Sequence, residues 1–512
     1  MILKRSENAK RNGIWGLINN LVSIFLPFIV RTIMIKELGA EYLGLSSLFT
    51  SILSVLNMTE LGFGTAVVYS MYKPLADDNT ELLCALLNFY KKIYRIIGLI
   101  ILIVGVCLLP FLHYFVEGEI PRDINLYILY ILYLLNTSLS YWLFAYKNSI
   151  LTIYQRNDIK NKISIILSTL MYIAQIILIV YTHNYYYYVI ALLVYTVINN
   201  ILPAVYIDKL YPKYVCVGNI SKDLRKDIKV RVTGLMITKL SSVSRNAFDS
   251  IIISSYFGLT TVAIYNNYYY IINALTSIML VLTTAISAGV GNSIATDTSE
   301  KNLNDMNIIN FWYMWIAGWF MVCLVCLFQP FMKLWVGSEL MLSNFVMWLF
   351  AIYFLILKLG DIQAQYFDAA GLWWHRRWYS ITEAVLNIIL NIILGYYLGV
   401  SGIVLATIIT VFFVNFWGSS SVIFKKYFKV GLRKYIIQQI KYVLVAIINA
   451  ICVLFVCSWL PFSTTSKMDL FFILFIRAAI CVILPNFIFW IAYRKTKIFE
   501  VALPWIKSRI RH

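Results

Sequence analysis

The chain has 512 residues, 61% of them hydrophobic and only 13% charged, with a mean hydropathy of +0.77. Soluble domains carry about 45–50% apolar and about 25% charged residues, so a string of soluble domains is excluded and the composition is that of a polytopic membrane protein. The net charge of +19 is spread over the connections between apolar runs, which argues against a nucleic-acid-binding module and for contact with anionic lipid headgroups.

A span needs about 20 mostly apolar residues. Runs of that kind predict fourteen helices, at 14–35, 42–71, 93–116, 124–144, 163–181, 185–207, 233–256, 262–290, 308–328, 341–368, 378–398, 402–424, 436–460 and 469–493. The leading MILKRSENAKRNG is too polar for a cleaved signal peptide, so the first helix is expected to act as its own insertion signal. At 100° per residue, Asn12, Gly16, Asn19, Asn20, Ser23, Pro27 and Arg31 share one third of its surface. A polar face along a whole span suits a cavity wall; the plain alternative is helix–helix packing through small and amide residues. Arg31 lies near the outer end, where snorkelling competes with a cavity role, and Pro27 predicts a kink. The second span holds Glu60 within NMTELGFG, whose glycines predict a loosened helix; the alternative role for Glu60 is a hydrogen bond to a neighbouring helix end. Tyr185 to Tyr188 fall where an interfacial aromatic belt accounts for them.

The seventh span puts Thr238, Ser241, Ser242, Arg245, Asp249 and Tyr256 on one face. An ionisable group at bilayer depth costs about 2.5–3.5 kcal/mol and normally faces a bundle interior or a watery cavity. Arg245 and Asp249, at i and i+4, either neutralise one another or hold a cation ready for an anionic ligand, and guanidinium is a planar fork of donors suited to phosphate. The eighth span aligns Asn266, Tyr270, Asn273, Ser277 and Thr284, chemistry for sugar hydroxyls or for interhelical bonds. Lys358, Asp361 and Gln365 group on the tenth, again open to self-pairing. Ser380, Glu383, Asn387 and Asn391 align on the eleventh, with Glu383 near its inner end. Trp373, Trp374 and Trp378 read as a belt around the charged anchor His375-Arg376-Arg377, and Arg477 in the last span reads as structural.

Seven of the eight cysteines lie in or beside apolar runs and Cys216 lies in a basic loop, so no disulfide framework is expected. Cys323-x-x-Cys326 has half of a zinc pattern in purely aliphatic surroundings, and no metal site is expected there. There is no phosphate-binding loop, metal-binding helix motif or nucleophile elbow; no cofactor and no enzymatic activity are expected. Transport energy would then come from an ion gradient, the membrane potential or the substrate gradient.

With the N-terminus inside, 33 of the 43 Lys and Arg fall in inner connections, counting Arg95 at the inner edge of the third span, and 4 in outer ones, a positive-inside pattern that puts both termini in the cytoplasm. The outer connections are short, which argues against an enzyme built on external loops. A faint repeat at an offset of 219 aligns Gly39 with Gly258, Leu45 with Ile264, Ser54 with Asn273 and Ala66 with Ala285. It predicts two parallel six-helix lobes, 1–210 and 211–430, with substrate between them, followed by helices 13–14 and a basic tail over 431–512.

Several segments resemble the polysaccharide-repeat (Wzx-type) flippases of the multidrug/oligosaccharidyl-lipid/polysaccharide exporter superfamily. They are LGAEYLGLSSLF with NMTELGFGTAV, YWLFAYKNSILTIYQRNDI, NAFDSIIISSYFGLTTVAIYNNY, FMKLWVG with AAGLW, and EAVLNIILNIILGYYLGVSGIVLAT, together covering residues 10–425. The resemblance implies fourteen helices and alternating access carrying an undecaprenyl-pyrophosphate-linked oligosaccharide from the cytoplasmic to the outer leaflet of a bacterial plasma membrane. On that reading Arg31, Arg245 and Lys358 meet the pyrophosphate, and Asn19, Asn20, Ser23, Asn266, Tyr270, Asn273, Gln365 and Asn387 meet the sugars. Glu60, Asp249 and Asp361 are candidate H+ or Na+ sites. The expected partners are the lipid-linked oligosaccharide, membrane lipids, and the polymerase and glycosyltransferases of the same pathway. Two rivals remain: a cation-coupled drug exporter of the same superfamily, and a membrane polymerase or acyltransferase.

Overall fold

A computed structural model describes residues 5–60, 62–118, 120–460 and 467–510, and every regular element among them is helical. The chain divides into two compact units, Met1–Ala263 and Ile264–His512. The first contains α1 (Arg5–Glu37), α2 (Ala40–Leu56), α3 (Phe63–Ala76), α4 (Thr80–Cys107), α5 (Leu126–Trp142), α6 (Asn148–Ile153), α7 (Asn157–Thr182), α8 (Tyr185–Leu210) and α9 (Lys222–Thr296) as far as Ala263. The second contains the rest of α9, then α10 (Ser299–Val336), α11 (Asn344–Lys358), α12 (Asp361–Ala369), α13 (Trp373–Leu398), α14 (Val400–Ile409), α15 (Trp417–Ile423), α16 (Arg433–Ser458), α17 (Lys467–Tyr493) and α18 (Lys497–Ile510).

Among the described residues ten helices are long and apolar enough to cross a membrane, or twelve if two bent pairs each form one span. Those pairs are α4 with Leu109–Phe115, bent by 65°, and α5 with Ala145–Ile153, bent by 43°. The fourteen expected spans exceed this number at two places. Residues 42–71, expected as one span, divide into α2, a 3-10 turn over Asn57–Glu60, and α3. The expected spans 233–256 and 262–290 lie in the single α9, interrupted only at Gly258, whose φ of 79° and ψ of 177° are not helical. Hydropathy measures apolar length and is blind to such backbone breaks. α1 runs unbroken through Pro27.

Exposed apolar side chains such as Leu17, Phe25 and Ile29 on α1, or Phe471, Phe475 and Ile483 on α17, suit acyl chains rather than water. Many polar groups, among them Arg245, Asp249, Glu383 and Asn387, are turned inward instead. In the first unit α1 lies along α7, α7 along α8, and α4 along α5. In the second, α10 is the hub, packing on α11, α16 and α17, while α13 lies against α14.

The backbone reverses at Gly39 (φ 123°) and Gly258 (φ 79°), positions aligned by the repeat offset and readily tolerated only by glycine. Thr260 Oγ1 donates to Glu41 Oε1 at 3.0 Å, so these two breaks also touch, through residues separated by the same 219 positions.

Candidate functional site

The N-terminal half of α9 is the most polar buried helix of the first unit. Arg245 is 8% exposed and Asp249 3%, one turn apart on the same face as Ser241, which is also buried. Ser244, Ser250 and Ser254 are buried on its other sides, Ser242 is half-buried and Tyr256 is exposed. The side chain of Thr238 lies outside the described residues. Small residues hold this helix in place. A Cβ on Gly62 would meet Leu235 Cβ at 2.4 Å, and one on Gly44 would meet the Leu259 carbonyl oxygen at 2.1 Å. The Glu117 N–H donates to the Ser254 carbonyl at 3.0 Å. Arg231 sits over the Tyr69 ring at 4.5 Å and Arg225 over Phe89 at 5.5 Å.

Glu60 stands at the break between α2 and α3, as the glycines of NMTELGFG suggested. Its carboxylate accepts from the backbone N–H of Gly64 at the start of α3 and feels the charge of Lys239. Tyr94 donates to Glu60 Oε1 at 2.9 Å, Tyr90 to Tyr94 at 2.8 Å, and Tyr141 to Asn57 Oδ1 at 3.3 Å. The expected bond to a helix end is present, on its own following helix. The two-tyrosine relay to it, and the Tyr141 bond to Asn57 beside it, carried no sequence signal, because those tyrosines come from other helices.

Arg31 is half-buried and acts electrostatically on Tyr188. Tyr188 belongs to a cluster that sequence reasoning assigned to an interfacial belt. Tyr185 is fully buried, stacks on Tyr188 with ring centroids 5.3 Å apart, and shares a 2.8 Å hydrogen bond with Tyr133. Tyr133 in turn donates to Ser46 Oγ at 3.0 Å. Only Tyr187 of that run is exposed in the manner of a belt residue. Along the α1 stripe, Asn19 is half-buried and Asn20 and Ser23 are exposed. Asn12 instead bridges to the turn before α7, donating to the Gln155 carbonyl and accepting from the Asp158 N–H.

In the second unit, Lys358 is 4% exposed and its Nζ lies 3.0 Å from Asp361 Oδ2, which also accepts from Tyr313 at 2.5 Å. The helix breaks at Leu359–Gly360, so the pair straddles the end of α11 and the start of α12. The self-pairing reading holds here. Asp361→Asn is expected to lower the unfolding temperature in detergent, because it strands a buried ammonium at a cost of about 3–5 kcal/mol. Combining it as Asp361→Leu with Lys358→Met should restore most of the loss. Equal stability of Asp361→Asn and the parent would show that the pair is not buried.

Gln365 is half-buried; its neighbour Gln363 is the buried amide, accepting from Ser420 at 2.7 Å. Asn387 is fully buried and donates to Thr407 and Thr410 at 3.2 and 3.3 Å, while Asn391 donates to it at 3.4 Å. Asn387 thus ties α13 to α14 and to the π-helical Thr410–Phe416, a packing role. That π segment also presents Asn415, which donates to the fully buried Glu383 and accepts from Arg376, both at 2.5 Å. Arg376 is therefore more than the charged anchor expected. Asn266 and Tyr270 are half-buried on α9, and Asn273 is exposed.

Arg477 donates to the carbonyls of Cys326 and Cys457, at 3.1 and 3.4 Å, which agrees with its structural reading. No group of three or more His, Cys, Asp or Glu among the described residues is arranged to hold a metal ion. The expected cations are divided, with Arg31 and Arg245 in the first unit and Lys358 in the second. Lys358 lies against the Asp361 carboxylate.

The sequence profile of the family described as "Polysaccharide biosynthesis protein" matches residues 9–287, more than half of the chain and all of the Arg245 region. No curated protein sequence matches it. Among solved structures, the chain is similar to the lipid II flippase MurJ in an inward closed conformation, with a TM-score of 0.66, 20% identity and coverage of 94% of this chain and 98% of that one. It is also similar to an inward-facing multidrug resistance MATE transporter of the MOP superfamily, with a TM-score of 0.60, 17% identity and coverage of 79% and 98%. A Vibrio cholerae MATE transporter mutant matches with a TM-score of 0.57, 14% identity and coverage of 84% and 99%. At these identities the likeness is one of fold, a multi-pass helical membrane fold common to a flippase and to drug exporters, and the matched profile makes the chain a member of the polysaccharide biosynthesis protein family.

Proposed function

We propose that the chain is a flippase that moves undecaprenyl-pyrophosphate-linked oligosaccharide repeat units from the cytoplasmic to the outer leaflet by alternating access, for surface polysaccharide biosynthesis. The observation that carries this reading is Arg245: a guanidinium 8% exposed in a serine-rich helix, inside the region matched by a polysaccharide family. A diphosphate is the anion such a fork of donors suits, and the lipid tail can stay in the bilayer while the head crosses. Arg31 and the hydroxyls and amides of α1 and α9 supply further partners for phosphate and sugar. Lys358, beside Asp361, is the third candidate partner for the pyrophosphate. Glu60, Asp249 and Asp361 are the candidate H+ or Na+ sites; Asp361 also neutralises Lys358, and Glu60 accepts from the first turn of α3.

In this proposal fourteen spans form two six-helix lobes, 1–210 and 211–430, with a C-terminal pair over 431–512, in a bacterial plasma membrane with both termini inside. The pathway's glycosyltransferases deliver the cargo and its polymerase receives it.

The test is reconstitution into proteoliposomes with a fluorescent pyrophosphate-linked oligosaccharide, reading the fraction that becomes accessible to an impermeant quencher. Ethidium extrusion is measured in parallel. Oligosaccharide movement well above protein-free vesicles, with no ethidium efflux, is expected. The reverse pattern would identify a cation exporter, and covalent elongation of the oligosaccharide by purified protein would identify an enzyme.

A further inference from the structure

A cavity of about 660 Å³ in the second unit lies among α10, α16 and α18, away from every residue assigned above. Its wall includes Asn310, Tyr435 and Gln439, all at least nine-tenths buried. Gln439 is fully buried with neither amide atom hydrogen-bonded, and Asn310 Oδ1 and the Tyr435 hydroxyl are also without partners. Buried amides are normally satisfied, so three such groups around one void point to something that fills it. Arg433 and Lys434 line the same cavity and no acidic residue does. They form the first turn of α16, which has no side-chain cap, so free backbone N–H groups and two cations coincide.

A second cavity, of about 840 Å³, shares Gln438 and Ile498 with the first and sets an aliphatic strip of Leu444, Val445, Ala492 and Val501 beside Lys441 and Lys497. The α18 that borders both is anchored to α10 by Trp312 Nε1 donating to the Ala502 carbonyl at 3.2 Å. Two adjoining basic cavities, the second with an aliphatic strip along it, are complementary to an anionic amphiphile rather than to water or a free ion.

We infer that these joined cavities hold one anionic glycerophospholipid, with a hydroxyl-bearing phosphodiester head at Arg433, Lys434 and Gln439 and an acyl chain along Leu444 and Val501. Phosphatidylglycerol has this chemistry: one phosphate for the cations, and glycerol hydroxyls for the orphaned amide and phenol. Basic pockets between membrane helices are known to select such heads. The site does not depend on the transported cargo.

Full-length protein, delipidated in neutral detergent, is unfolded thermally with added dioleoyl-phosphatidylglycerol, dioleoyl-phosphatidylcholine or inorganic phosphate. A ligand bound only by the folded state raises Tm, and phosphatidylglycerol alone should raise it by about 3 °C or more. Gln439→Leu should lose that shift while keeping a lipid-free Tm at or above that of the parent, because the change removes an unsatisfied amide. Arg433→Ala with Lys434→Ala should lose it too, and Arg433→Lys with Lys434→Arg should retain it. Lipid bound elsewhere on so basic a chain would leave the shift intact in Gln439→Leu, which overturns the inference. So would an equal shift from phosphatidylcholine or phosphate, or a lower lipid-free Tm for Gln439→Leu.

Discussion

Replacing Arg245 by alanine is expected to abolish translocation while leaving the amount of protein in the membrane unchanged. If the guanidinium meets the cargo's pyrophosphate, its removal takes away a charge-assisted, multiply bonded contact in a desolvated setting. Truncating such a partner costs about 2–5 kcal/mol, or on the order of 30- to several-thousand-fold in rate. Arg245→Lys keeps the charge but loses the planar fork, and should retain partial activity. Because Asp249 lies one turn away and is itself buried, Arg245→Ala paired with Asp249→Asn guards against a trivial folding defect. Transport is read in proteoliposomes and abundance by quantitative immunoblot. Undiminished transport would make the arginine dispensable, and disappearance of both variants from the membrane would make it structural.

Gly44→Ala is expected to be a strongly damaging single-methyl change. The added carbon would lie 2.1 Å from the Leu259 carbonyl oxygen and 3.0 Å from its Cα, both backbone atoms that cannot rotate away. Either α2 must retreat from the chain after Gly258 or the contact must break, and overpacking of this kind costs about 1–3 kcal/mol or more. Gly13→Ala on α1 is the control: a Cβ there meets nothing within 4 Å, and alanine's better helix propensity should leave stability equal or slightly higher. Thermal unfolding and size-exclusion profiles in detergent measure both. Equal behaviour of the two variants would remove the close approach of α2 to Leu259 as a determinant of the fold.

The buried charges show how far one-dimensional reading extends. Lys358 and Asp361 could be foreseen as a pair, because three residues along a helix is a fixed short distance, and the pair is found. Glu60 was legible as a break because glycines punctuate helices wherever they occur. Asn387 was offered as a sugar ligand, and nothing in its own helix could reveal that Thr407 and Thr410 consume its donors. Tyr185 and Tyr188 read as a belt since a tyrosine run at a span end has that default, yet Tyr133 and Ser46 draw them inward.

Composition and apolar periodicity by themselves determined that this chain is helical and crosses a bilayer many times. Each residue's transfer energy and each segment's length act locally, and lipid leaves the backbone few other solutions. Tertiary structure alone decided how the helices bend, which buried polar groups are spent on packing, and which, like Gln439, line a void. Those outcomes depend on partners brought from remote parts of the chain, and hydrogen-bond satisfaction is a property of the assembled neighbourhood rather than of any one segment.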